Sequence, residues 1–106
     1  MVKGDIKPDI VYENDVVLAF RDIRPQAPVH VLVIPKKHIA TLDDLEEEDT
    51  QLMGDIFQAA QKIAKSEGLA DSGYRTVFNC KKDGGQDVYH IHLHLLGGRT
   101  MTWPPG

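Results

Sequence analysis

The chain has 106 residues, 42% of them apolar and 26% charged, with a formal net charge of −4. This is the make-up of one ordinary globular domain, and it leaves no broad basic surface for nucleic acid or an anionic membrane. The lone Cys80 excludes an internal disulfide, and no secretory core, membrane-length apolar run or repeat is present, so a cytoplasmic single domain over 1–106 is expected.

Residues 1–9 carry little pattern, and Gly4 and Pro8 disfavour a regular element. Ile10-Val11-Tyr12-Glu13 is β-prone, Asn14-Asp15 supplies a turn, and Val16 to Phe20 resumes strand character, which predicts a hairpin. Pro25 and Pro28 then take the chain out of the sheet, because proline fixes φ and donates no hydrogen bond. Val29 to Ile34 is apolar apart from His30 and suits a central strand covered on both faces, closed by Pro35.

Thr41 to Glu67 reads as the helical region. Asp43, Asp44, Glu46, Glu47, Glu48 and Asp49 crowd its start, and Lys62 and Lys65 sit near its end, which complements the helix dipole. Leu52, Met53, Ile56, Phe57, Ala60, Ile63 and Ala64 form an apolar stripe, and Gly68 is placed for the stop. The run 46–49 is expected to be a solvated first turn. Tyr74 to Asn79 predicts another strand, and Lys81-Lys82-Asp83-Gly84-Gly85 turns the chain back antiparallel. The sum is an α+β domain: an antiparallel sheet of about five strands with one long helix on a face.

The last strand is the unusual one. Val88-Tyr89-His90-Ile91-His92-Leu93-His94-Leu95-Leu96 alternates strictly, so His90, His92 and His94 should share one face, neighbours roughly 6.6 Å apart along a strand. Gly97-Gly98 ends it. Three readings are open: a structural strand, a metal site and a nucleophilic site. Alternate histidines with His30 suit zinc, yet residues spanning about 13 Å do not all meet one ion without a bend. Nucleophilic attack at phosphorus needs a neutral imidazole whose other nitrogen is held by a carbonyl or a second histidine, plus donors such as a glycine-rich loop. The middle histidine, flanked by two helpers, fits that role, and on chemistry this reading leads.

The chain resembles the histidine triad (HIT) superfamily, whose signature alternates three histidines with apolar residues. The likeness extends to Asp22-Ile23, Pro25-Gln26-Ala27-Pro28, His30, Val33-Ile34-Pro35-Lys36-Lys37-His38, Asn79, Gly84-Gly85-Gln86, Gly97-Gly98-Arg99 and Trp103-Pro104-Pro105-Gly106. It covers the chain from about residue 6, and it points to the histidine triad nucleotide-binding branch, the purine nucleoside phosphoramidases. The resemblance implies a hydrolase that forms a nucleotidyl intermediate on His92, with His94 attending the phosphate and leaving group. His90 and His30 would support them. It implies Asp22 at the ribose, Phe20, Ile23 and Leu32 around the base, and Asn79 with Gly85, Gln86, Asp87 and Val88 on the phosphate side. Asp87 stands where familiar animal members carry a small hydroxyl residue, so it is expected as a loop position and not a catalyst. The branch further implies a purine nucleotide ligand, no cofactor or metal, and a homodimer joining two sheets into ten strands, with the Trp103 tail near the active sites.

Overall fold

The computed structural model describes residues 9–106, so the patternless start with Gly4 and Pro8, and Ile6 where the resemblance begins, lie outside it. Five strands form one sheet: β1 (Ile10–Glu13), β2 (Val17–Arg21), β3 (Val29–Pro35), β4 (Tyr74–Phe78) and β5 (Leu93–Gly97). Their order is β1-β2-β3-β5-β4, with every neighbouring pair antiparallel. The expected hairpin forms because the Asn14 side chain accepts from the backbone N–H groups of Val16 and Val17 and closes the turn.

The helix α1 (Thr50–Ser66) is shorter than the predicted helical region, Thr41 to Glu67. Two 3₁₀ turns, Leu42–Asp44 and Glu47–Asp49, precede it, so the acidic residues do not form its first turn. Asp44 accepts from the Thr41 backbone N–H and hydroxyl, and Asp49 accepts from the Glu46 N–H. These local bonds hold the tight turns in place of a continuous helix. Asp49 also corrects the solvated-turn expectation: it is 3% exposed, with Lys37 Nζ 2.6 Å from its Oδ1. Hydrogen bonding to Lys37 holds its carboxyl below the usual range.

The stop at Gly68 is as expected. Gly68 takes φ +79°, its N–H donates to Lys65, and the Leu69 N–H reaches the Ala64 carbonyl, a pattern that a residue with a Cβ rarely adopts. Leu69 turns back into the core, where it covers Gly97 at the end of β5.

Alternation along the strands sorts the two faces. Val17, Ala19, Val31, Val33, Leu93 and Leu95 bury against Ile56, Ala59, Ala60, Ile63 and Ala64 of α1. Burying a side chain of the Val, Leu or Ile kind stabilises by about 1.5–3 kcal/mol, which makes this face the main source of stability. Phe57, part of the predicted stripe, is 48% exposed and meets Phe78 edge-on. The other face carries Leu18, Phe20, Leu32 and Ile34 as a second, smaller cluster. His30 and His94 belong to that face too.

Candidate active site

Strand register builds the site on the sheet face opposite α1. Phe20 pairs with Leu32, Leu32 with His94, and His94 with Val77, making one row across four strands. His30 pairs with Leu96 and so sits diagonal to His94, within reach of a long side chain. Phe20 and Leu32 form a buried apolar floor beside the imidazoles. Ile23, in the turn after β2, and Val88 are 58% and 55% exposed.

The predicted strand from Val88 to Leu96 is corrected: the ladder begins only at Leu93, and 86–92 run outside it. The Ile91 N–H leaves the sheet to donate to the Ile39 carbonyl, because Pro35 ends β3 and the chain beyond it offers the partner instead. Burial still alternates, with Ile91, Leu93 and Leu95 inside and His90, His92 and His94 half-buried. The three rings are nevertheless not an even row. The centroids of His92 and His94 lie 4.9 Å apart, edge to face, while His90 turns to Pro35 and His38.

Backbone groups of fixed polarity assign the ring protons. The Gln26 N–H donates to His30 Nδ1 at 3.0 Å, so the proton of neutral His30 is on Nε2. From there it donates to His94 Nδ1 at 3.0 Å, which leaves the His94 proton on Nε2, at the far side of the ring. Asp22 Oδ2 lies 3.4 Å from the same His30 Nε2, and Asp22 Oδ1 accepts from the Arg24 N–H. Burial lowers the pKa of His30 against the pull of Asp22. Burial, then the neighbouring His92 and His30, push His94 down to about 4, with Asp22 and Asp87 opposing. Both rings are neutral near pH 7.

His92 has the reverse arrangement. Its Nδ1 faces the His90 carbonyl at 2.9 Å, and a carbonyl only accepts, so the proton is on Nδ1 and Nε2 keeps its lone pair. A bare nitrogen and an N–H thus sit on adjacent rings. His90 donates from Nε2 to the Pro35 carbonyl at 2.8 Å, and its Nδ1 lies 3.2 Å from His38 Nδ1.

The loop before these histidines is built from within. Asn79 Nδ2 donates to the Gly84 carbonyl at 2.6 Å. Gln86, 7% exposed, accepts from the Lys81 N–H and donates to the Ala40 and Val88 carbonyls, so its side chain shapes the loop from inside. Gly85 takes φ +80°, and a Cβ on Gly84 would collide with the Cys80 backbone. Asp87 is exposed and forms no ion pair among the described residues.

Asp22, His30 and His94 bring three donor atoms within 4.8 Å of one another, the spacing of a metal site. The proton arrangement does not suit one. A ligating histidine offers a bare nitrogen to the ion and donates from the other. In His30 the bare nitrogen is taken by the Gln26 N–H, and the nitrogen facing the cluster carries the proton. The cluster is a hydrogen-bond relay. One part of it, the Gln26 backbone N–H, was missing from the candidate residues read off the sequence; so was His38, the partner of His90, which stood in the matched Pro35-Lys36-Lys37-His38 motif without a role.

The HIT domain family model matches residues 3–101. A purine nucleoside phosphoramidase of Escherichia coli is 50% identical over 101 residues, covering 95% of this chain and 85% of that protein. An uncharacterized HIT-like protein of Synechococcus elongatus is 54% identical across all of this chain and 92% of its own. Among solved structures, a HIT family hydrolase from Legionella pneumophila superposes with a TM-score of 0.95 at 58% identity, covering 100% of this chain and 95% of that one. A histidine triad nucleotide-binding protein from Candida albicans gives 0.80 at 30% identity, over 97% and 78%. The alternating histidines, the sheet that carries them and these likenesses agree: the chain belongs to the HIT domain family.

Proposed function

We propose that the protein is a cytoplasmic, homodimeric hydrolase of purine nucleoside 5′-phosphoramidates, acting through a nucleotide bound covalently to His92. The observation that carries this reading is the His92 ring, its Nδ1–H tied to the His90 carbonyl and its Nε2 bare, with the centroid of the His94 ring 4.9 Å from its own. The 50% identity to a purine nucleoside phosphoramidase supports the substrate class.

In the first step His92 Nε2 gives its lone pair to phosphorus and the P–N bond breaks. Phosphoryl charge offsets the burial that keeps His94 neutral in the free protein, so this ring takes a proton from solvent as substrate arrives and hands it to the departing amine. Asp22 Oδ2 then offers His30 Nε2 an alternative acceptor once His94 Nδ1 is protonated. In the second step water attacks phosphorus, the His92–P bond breaks, the nucleoside monophosphate leaves, and the water proton returns to His94. Water and phosphoramidate give nucleotide and amine, with no redox partner needed.

Phe20, Ile23 and Leu32 form the base contacts in this reading, and Asp22 takes the ribose hydroxyls. Asn79, Gly85, Gln86, Asp87 and Val88 make up the phosphate side, Gln86 through its backbone because its side chain is engaged inward. The exposed edge strand β4 and Trp103, 80% exposed, provide surface for the second subunit. The test is turnover of adenosine and guanosine phosphoramidates by wild type and His92→Ala. Wild type should trap a nucleotidyl group on His92 when quenched, and His92→Ala should be inactive. A fully active His92→Ala protein overturns the reading.

A further inference from the structure

We propose that His38 is a positioning residue for His92, acting through His90; this rests on the hydrolase reading above. His38 follows β3 and is exposed. Its Nδ1 is 3.2 Å from His90 Nδ1, with the ring centroids 5.2 Å apart. The proton between the two rings can be assigned. His90 Nε2 faces the Pro35 carbonyl and must carry a proton, so the Nδ1 of neutral His90 is bare and His38 Nδ1 donates to it. His90 is therefore held at both ring nitrogens, and its own carbonyl is the group that fixes the His92 proton on Nδ1.

The backbone around His38 is pinned well enough to act as a reference point. Lys37 Nζ is 2.6 Å from buried Asp49 at the start of α1. Ile39, 4% exposed, accepts from the Ile91 N–H at 2.8 Å, and the Ala40 carbonyl accepts from Gln86 Nε2 at 2.7 Å. His38 sits between these anchors. The contact does not deliver protons to the reaction, because its far end is the Pro35 carbonyl, which takes none. What it transmits is orientation: with His38 Nδ1 removed, the His90 ring is held at one nitrogen only, and the peptide that presents its carbonyl to His92 loses a restraint.

The experiment compares wild type, His38→Ala and His38→Asn. The asparagine amide puts an N–H near the position of Nδ1. Ring ¹⁵N shifts of histidine, read by NMR on the free protein, report the His92 tautomer. Wild type should show His92 protonated at Nδ1, His38→Ala a mixture of tautomers, and His38→Asn a return toward wild type. With adenosine phosphoramidate, His38→Ala should lose about tenfold in kcat with KM within about twofold, since misplacement of a reacting group acts on the chemical step. His38→Asn should recover most of that loss. A His92 tautomer in His38→Ala that matches wild type overturns the inference, whatever the activity. If wild type turns over no phosphoramidate, the hydrolase reading fails, and the tautomer comparison still decides this one.

Discussion

Two pairs of histidines are joined by ring-to-ring hydrogen bonds, and they have similar shapes and different consequences. His30 and His94 lie with centroids 5.2 Å apart and rings tilted by 46°; His38 and His90 lie at 5.2 Å and 54°. The inner pair starts on a backbone donor, the Gln26 N–H, so its protons point outward and end on a free Nε2–H at His94. The outer pair ends on a backbone acceptor, the Pro35 carbonyl, so its protons point inward and terminate there. One main-chain group sets the direction of each chain. A pair that ends on a free N–H can give a proton away, and a pair that ends on a carbonyl can only hold a ring still.

The comparison breaks most severely at the free end. His94→Ala should lower kcat on adenosine phosphoramidate by about 10²–10⁴-fold, the usual contribution of one positioned acid or base, measured in single-turnover reactions. His30→Gln keeps a donor toward His94 and loses the acceptor for Gln26. Its kcat should fall by roughly tenfold, and a loss equal to that of His94→Ala would merge two roles that the geometry separates.

Acid separates the pairs in another way. The pKa values of His94, about 4, and of His30 are lowered by burial, so the unfolded chain binds these protons and the folded one does not as pH falls from about 6.5 toward 4. Stability is full above the ordinary histidine value and is lost on acidification across that window. Urea midpoints should fall from pH 7 to pH 4, and His94→Asn should flatten the decline.

Two weaker effects sharpen the outer pair and the inner one in turn. Asp49→Asn removes the carboxylate that holds Lys37, next to His38, and should lower the urea midpoint modestly at pH 7. Because the Asp49 carboxyl titrates below its ordinary value, that difference should fade as pH falls through the carboxylate range. The Asp87 charge raises the His94 pKa, so Asp87→Asn should shift the alkaline limb of the kcat profile, where His94 loses the proton it gives to the amine, to slightly lower pH. A shift upward would mean that Asp87 acts on some other group.

Most of the architecture was legible because it depends on local pattern. Asn14-Asp15 closed the hairpin, the apolar run 29–34 formed a central strand, and Gly68 ended the helix. Where reading failed, a distant partner decided. The alternation at 88–92 is that of a strand, yet Ile91 donates to Ile39, far back in the chain. The charge pattern of 43–49 is that of a helix start, yet Lys37 draws Asp49 into the interior. The unequal roles of the histidines were implied by resemblance, but ring polarity was not: it rests on Gln26 and Pro35, whose contribution is main-chain and invisible in residue identity. His38 escaped because its ring meets a partner 52 residues away in the chain, a pairing that only the fold brings about.

Leu69 lying over Gly97 joins two elements whose duties differ. A Cβ on Gly97 would come within 2.5 Å of the Leu69 side chain, so the strand bearing His94 and the segment that ends α1 have a shared surface with no slack. Their openings should therefore be a single event. In native-state hydrogen exchange the amides of Leu95 and Ile63 should report one opening free energy and respond together to Leu69→Ala, while the exposed loop at 81–85 exchanges faster and independently. The helix, remote from the histidines, sets how often their strand comes apart.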